Sequence, residues 1–173
     1  RIDRDARRLY LDDGSTIPYD CAIVAAGATH AYFGHDGWRL HAPGLKTMED
    51  ALHIRRRVLL AFEEAERCAQ DTQRGDPGGL LTFVIVGGGP TGVELAGSLA
   101  EIARHTLRHD FRRIDPSTAS IVLVEGGPRI LPAFSDDHSA FAARALEHLG
   151  VTVRTGAVVT AVDDAGVTIR EEG

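Results

Sequence analysis

Cysteine is scarce in this chain. Cys21 and Cys68 are the only two among 173 residues, which excludes a disulfide-stapled scaffold and any CxxC metal or redox pair. Such usage fits a reducing compartment. No apolar stretch reaches the roughly 18 residues that a membrane-spanning helix needs, and no charged-then-apolar leader stands at the amino terminus. Basic charge is also short, with 19 Lys and Arg against 25 Asp and Glu and a net charge of −6. A nucleic-acid footprint needs a basic face, so nucleic acid is not an expected partner. The local basic clusters, Arg55 to Arg57 and Arg104, Arg108, Arg112 and Arg113, read as solvated helix faces. No GxSxG elbow supports a serine hydrolase. Glu101, His105 and His109 share one helix face at four-residue steps, but HExxH and a further ligand are missing, so no metal is expected. The loop histidines His30, His35 and His41 are read as ligating nothing.

What the chain does have is glycine: 19 residues, about 11% against a usual value of roughly 7%. Apolar residues at 43% and charged residues at 25% are globular values. The length allows one domain or slightly more at about 150 residues each. Residues 8–19 read as a hairpin about Asp12-Asp13-Gly14-Ser15. Cys21 to Ala26, stopped by Gly27, has the continuous apolar character of a buried parallel strand. A loop follows over 28–46. Thr47 as N-cap, with Glu49 and Asp50 in the first turn, predicts a helix from Glu49 to Ala69. Its apolar stripe is Ala51, Ile54, Val58, Phe62 and Ala65. Asp76-Pro77-Gly78-Gly79 reads as a turn and Leu81 to Val86 as a buried strand. A helix runs on to His109, and Ile121 to Glu125 forms a second strand. Ser135 caps a helix to Leu149 with Gly150 at its end, and Val151 to Val153 is a third strand. Val158 to Val162 and Val167 to Ile169 make a hairpin. Strands alternating with helices predict an α/β fold: a Rossmann-like parallel sheet with helical crossovers, plus a β-hairpin or meander appendage.

The glycine surplus centres on Gly87-Gly88-Gly89-Pro90-Thr91-Gly92. GxGxxG alone is a weak pattern, but a strand directly before it and a helix directly after give it the context of a dinucleotide site. Gly87 permits the tight turn, Gly89 removes the Cβ that would block a pyrophosphate, and Gly92 lets the helix approach the strand. Pro90 at the helix start loses no useful N–H, and the helix end then attracts a diphosphate. Glu125 ends the second strand, where an acid accepts the adenosine ribose hydroxyls and repels a 2′-phosphate, favouring NAD(H) over NADP(H). Gly126 turns the chain after it. Arg129, four residues on, could blunt that preference. The acid is expected about 20 residues after the motif, whereas 36 positions separate Gly89 from Glu125. The excess falls in a lengthened helix and the segment from Arg104 to Ser120. Glu94 lies on the first turn of the motif's helix, where stabilisation by the helix dipole suffices to explain an acid.

Together these stretches resemble the type II NADH:quinone dehydrogenases, of the FAD-dependent pyridine nucleotide-disulfide reductase superfamily. The resemblance rests on LTFVIVGGGPTGVE at 81–94, Asp110 to Pro116, VLVEGGPRILPAF at 122–134, Ala31-Tyr32-Phe33-Gly34 and Gly44-Leu45-Lys46-Thr47. It covers nearly the whole chain. It implies hydride transfer from NADH to FAD and electron transfer on to a quinone. It also implies a place for Glu94 near the nicotinamide and flavin, and for Ala26-Gly27 on the FAD side, although Ala25 stands where the family's short motif has threonine. The expected cofactors are NADH and FAD, and the expected partner is a quinone. The full-length protein is expected peripheral to the inner membrane on its cytoplasmic side, through regions not seen here. Two other readings stay open: another superfamily reductase of the ferredoxin or nitrite type, and a non-catalytic NAD(H)-sensing module.

Ile2 to Gly14 parallels Val162 to Gly173, as in the superfamily's two related dinucleotide domains. Residues 1–45 are therefore read as the closing part of an FAD-binding domain. Residues 46–173 are read as an NADH-binding domain, incomplete at its C-terminal end. The fragment alone is expected to be inactive. Cys21–Ala26 is expected to fill the missing strand's place beside Leu81–Val86, within one chain or by swapping in a homodimer.

Overall fold

The computed structural model describes residues 1–70 and 79–171. The chain opens with a small antiparallel meander of β1 (Ile2–Asp3), β2 (Arg8–Tyr10) and β3 (Thr16–Pro18). The expected hairpin thus gains a strand: Ile2 pairs with Leu9, and Leu9 with Ile17. The Asp76 to Gly78 part of one expected turn lies outside the described residues.

Helix α1 (Met48–Cys68) begins where its cap predicts. Thr47 Oγ1 accepts the Asp50 N–H, while Asp50 accepts the Thr47 N–H at 2.8 Å, closing a capping box. The helix buries Val58, Phe62 and Ala65 along one stripe. The Phe62 ring lies 5.7 Å from that of Phe83 and 5.9 Å from that of Phe111.

The central sheet is parallel, in the order β4 (Thr82–Val86), β5 (Ser120–Val124), β6 (Val151–Arg154). Ile85 sits beside Leu123, and Leu123 beside Val153. Helix α2 (Pro90–Glu101) connects the first two strands and α3 (Asp136–His148) the last two, the crossovers that parallel strands require. Ala96 and Ala100, both buried, let α2 lie close on the sheet, in one core with Ile121 and Leu123. After β6 come β7 (Ala157–Val162) and β8 (Val167–Glu171), an antiparallel pair with a bulge between Val159 and Ala161. The α/β class, the helical crossovers and the appended hairpin are as the sequence implies.

Three expectations change. The helix after the motif does not run regularly to His109: α2 passes into a π-helical turn at Ile102–Thr106. The loop over 28–46 contains a turn of 3₁₀ helix, Asp36–Leu40. Cys21–Ala26 is no strand and does not join the Thr82–Val86 sheet within the chain. Ile23 is 93% exposed and Val24 72%. An apolar run becomes a strand only where neighbours complete its ladder, and among the described residues none pairs with it.

The segment that lengthens the path to Glu125 is pinned from outside the sheet. Glu66 on α1 accepts the backbone N–H groups of Arg112, Arg113 and Ile114 at 3.2, 2.9 and 3.1 Å. Its own cover pushes the carboxyl pKa up. The three amides, with the Arg113 guanidinium at 3.5 Å, outweigh that and hold it below the ordinary value.

Candidate functional site

The site lies at the carboxyl ends of β4 and β5. This is where ligands bind in open α/β sheets. The first apolar strand stops at Val86, and Gly87 turns the chain at φ +107, a conformation only glycine takes without strain. Gly87 N–H donates to Val124 O at 2.8 Å, tying the turn to the second strand. At the other end of the motif, Gly92 admits no side chain: a Cβ there would overlap the Gly87 carbonyl oxygen. These two positions account for the first and last glycines of the pattern.

Gly89 is the N-cap of α2, and no side chain caps this helix. Pro90 follows at the first turn, where its missing N–H costs nothing. A Cβ at Gly89 would meet no atom within 4 Å, so the helix opens onto free space. An uncapped helix start with glycine at its mouth fits a diphosphate. Thr91 is exposed on the first turn of α2, and Glu94 is exposed just past that turn rather than on it, as the helix begins at Pro90.

Glu125 is brought to this loop, as the spacing alone could not guarantee. Its Oε2 accepts the Gly88 N–H at 2.6 Å and its Oε1 accepts the Gly127 N–H at 2.7 Å. The carboxylate is therefore half-buried with one fixed orientation, and each oxygen keeps a second lone pair for a ribose hydroxyl. The Glu125 backbone is fixed too, its N–H on Arg154 O at 2.8 Å and its O accepting Ala157 N–H at 3.1 Å. Gly126 lies exposed beyond it.

Arg129 is not turned toward Glu125. Its guanidinium donates to Phe134 O at 2.8 Å and Pro132 O at 3.1 Å, and pairs with Asp136 at 3.4 Å. These contacts hold the guanidinium along its own loop. Ala26 and Gly27 lie in the exposed irregular stretch and share no hydrogen bond with the glycine loop among the described residues.

Sequence reasoning missed two contributors. Leu131 holds φ +50 and donates its N–H to Gly88 O at 2.7 Å. Buried Ser139 donates its hydroxyl to Ile130 O at 2.7 Å. No local signal marks Leu131, because a leucine before proline favours extended backbone. Among the described residues no group of three or more His, Cys, Asp or Glu could hold a metal.

A parallel sheet whose first strand runs through a glycine turn into a helix, with an acid from the end of the second strand on that turn, is the arrangement found in dinucleotide-binding folds. The chain belongs to the pyridine nucleotide-disulphide oxidoreductase family, whose model matches residues 1–173. It is 47% identical over 154 residues to the type II NADH:quinone oxidoreductase Ndh of Mycobacterium tuberculosis, covering 89% of this chain and 33% of that protein. It is 37% identical to the mitochondrial external alternative NAD(P)H-ubiquinone oxidoreductase B1 of Arabidopsis thaliana, covering 90% of this chain and 27% of that one. Among solved structures it resembles NDH2 from Plasmodium falciparum in complex with NADH, with a TM-score of 0.76 and 26% identity over 98% of this chain and 35% of that one. The chain spans between about a quarter and about a third of the length of these relatives. No helix among the described residues is long and apolar enough to cross a membrane.

Proposed function

We propose that this chain is the NADH-binding portion of a flavoprotein that passes hydride from NADH to FAD and electrons on to a quinone. The observation that carries this is the Glu125 carboxylate fixed on Gly88 beside the uncapped start of α2, in a chain similar to a type II NADH:quinone oxidoreductase at 47% identity. In this reading the Gly87–Gly92 turn holds the diphosphate at the N–H groups of Gly89, Thr91 and Gly92, since Gly88 N–H is on Glu125 and Pro90, which shapes the helix start, has none. Glu125 accepts the adenosine ribose hydroxyls, and Gly126 leaves room beside them. A 2′-phosphate would meet the fixed carboxylate, which supports NADH over NADPH. Glu94, exposed on α2 just past its first turn, is assigned to the nicotinamide end. FAD, when bound, accepts the hydride; of this chain only Ala26 and Gly27 are assigned to its side, within residues 1–45, and 46–173 form the NADH-binding part. Arg129 serves NADH through the loop it braces rather than by direct contact.

The apolar Phe83–Val86 edge of β4 and the exposed Ile23 and Val24 support association through a further strand, including a swapped one in a homodimer. The protein works peripherally at the inner membrane on its cytoplasmic side, with quinone met by regions outside this chain.

The test is made on the intact polypeptide that carries this chain. Purified protein should show flavin absorption, bind ADP-ribose, and oxidise NADH with a water-soluble quinone as acceptor. NADH binding without flavin or turnover would overturn the oxidoreductase reading in favour of a sensor. Turnover with a ferredoxin but not a quinone would reassign the acceptor.

A further inference from the structure

The loop after Glu125 is built with more constraint than a connection needs. Leu131 sits at φ +50, which is sterically costly for a residue with a Cβ and occurs where surrounding contacts enforce it. Those contacts can be named. Arg129 bridges the loop's own carbonyls, Pro132 O and Phe134 O. Ser139, 4% exposed on α3, holds Ile130 O. The Ile130 side chain, 1% exposed, lies directly under the glycine turn, where a Cβ on Gly88 would come within 2.8 Å of Ile130 Cγ2.

The result of this bracing is one hydrogen bond, from Leu131 N–H to Gly88 O at 2.7 Å. Gly88 is thereby held at both ends, since its N–H is on Glu125. A trans peptide is planar, with its C=O and N–H on opposite sides. A Gly88 carbonyl aimed at Leu131 therefore turns the Gly89 N–H the other way, out of the loop. That N–H has no acceptor among the described residues, and Gly89 borders open space.

We propose that Leu131 and Arg129 are positioning residues for the diphosphate. Arg129 holds the Ile130–Phe134 loop in the conformation in which the Leu131 amide locks the Gly88–Gly89 peptide and presents the Gly89 N–H to the ligand. This rests on the NADH-binding reading above and deepens it. The strained loop thus prepays the orientation of a donor that an unbraced glycine turn would have to order on binding.

The test compares two ligands on the intact polypeptide, ADP-ribose by calorimetry and adenosine by ligand-observed NMR. Only the first carries the diphosphate, while both carry the ribose that Glu125 meets. Arg129→Ala should weaken ADP-ribose roughly three- to tenfold, the worth of about one amide hydrogen bond, and leave adenosine within about twofold. Arg129→Lys should recover part of the loss. If Arg129→Ala does not fold, Ser139→Ala carries the same comparison. Unchanged ADP-ribose affinity, or equal weakening of both ligands, overturns the positioning role. Folded wild-type protein that fails to bind ADP-ribose overturns the NADH reading itself.

Discussion

Glu125 and Gly88, 37 residues apart, share a hydrogen bond of 2.6 Å between the carboxylate of one and the amide of the other. The acid that ends the second strand is therefore part of the glycine turn's structure before any ligand arrives. One side chain links the end of the second strand to the glycine turn and, through Gly127, to the loop that follows.

That dual attachment makes Glu125→Ala costly in two measurable ways. Removing a charged acceptor from two backbone amides should lower stability by about 1.5–3 kcal/mol, seen in denaturant or thermal unfolding. Losing the ribose contacts should weaken NADH on the order of tenfold and narrow the gap between NADH and NADPH, seen by titration with each. Glu125→Gln keeps an acceptor and should recover part of the stability while still relaxing the discrimination. Equal NADH affinity before and after the alanine change would remove Glu125 from the site.

How far the sequence carried these features depends on the range of the interaction behind each. Thr47 and Ser135 bond to backbone three residues away, so their helix starts are written locally. Phe83–Val86 and Ile121–Val124 are continuous apolar runs of the kind that parallel strands carry, and the glycine motif lies where the first of them stops. Glu125 was legible as a strand-end acid despite its long spacing. Its hold on Gly88 was not, because it depends on tertiary approach. The same holds for Glu66, whose three amide partners lie more than forty positions away. Leu131 adopts its backbone against local preference, under constraint from Arg129 and Ser139. Cys21–Ala26 shows the opposite error: its composition matches a buried strand, yet burial requires partners that the run itself does not encode.

Two glycines five residues apart on the same helix should respond oppositely to alanine. A Cβ at Gly92 would overlap the Gly87 carbonyl oxygen, a backbone atom that can yield only if the turn shifts. Gly92→Ala should cost about 1–3 kcal/mol and abolish measurable NADH binding. A Cβ at Gly97 would sit 3.8 Å from Leu146 Cδ2 and 4.0 Å from Leu149 Cδ1, ordinary contact distances. Gly97→Ala should stabilise the helix by roughly 0.5–1 kcal/mol and leave NADH binding unchanged. Thermal unfolding and titration of both variants check the pair, and similar behaviour at the two positions would contradict the packing of α2 on the glycine turn.

Glu66 should give the protein part of its acid sensitivity. Its side chain is 16% exposed. Burial raises its pKa, but the amides of Arg113, Arg112 and Ile114 lower it more, so its folded-state value lies below the ordinary 4.5. In the unfolded chain those amides are gone and the carboxyl titrates near its usual value. The folded state thus releases the proton more readily, and its stabilisation is complete above roughly pH 5. That stabilisation fades as pH falls through the unfolded and then the folded pKa, because the protonated acid no longer accepts from three donors. Glu66→Gln should lower Tm at pH 7 by on the order of a few degrees, and the wild-type margin over the variant should shrink between about pH 5 and pH 3. Unfolding curves at half-unit pH steps read this directly. A margin that stays constant across that range would show that Glu66 does not hold the Arg112–Ile114 segment through its ionised form.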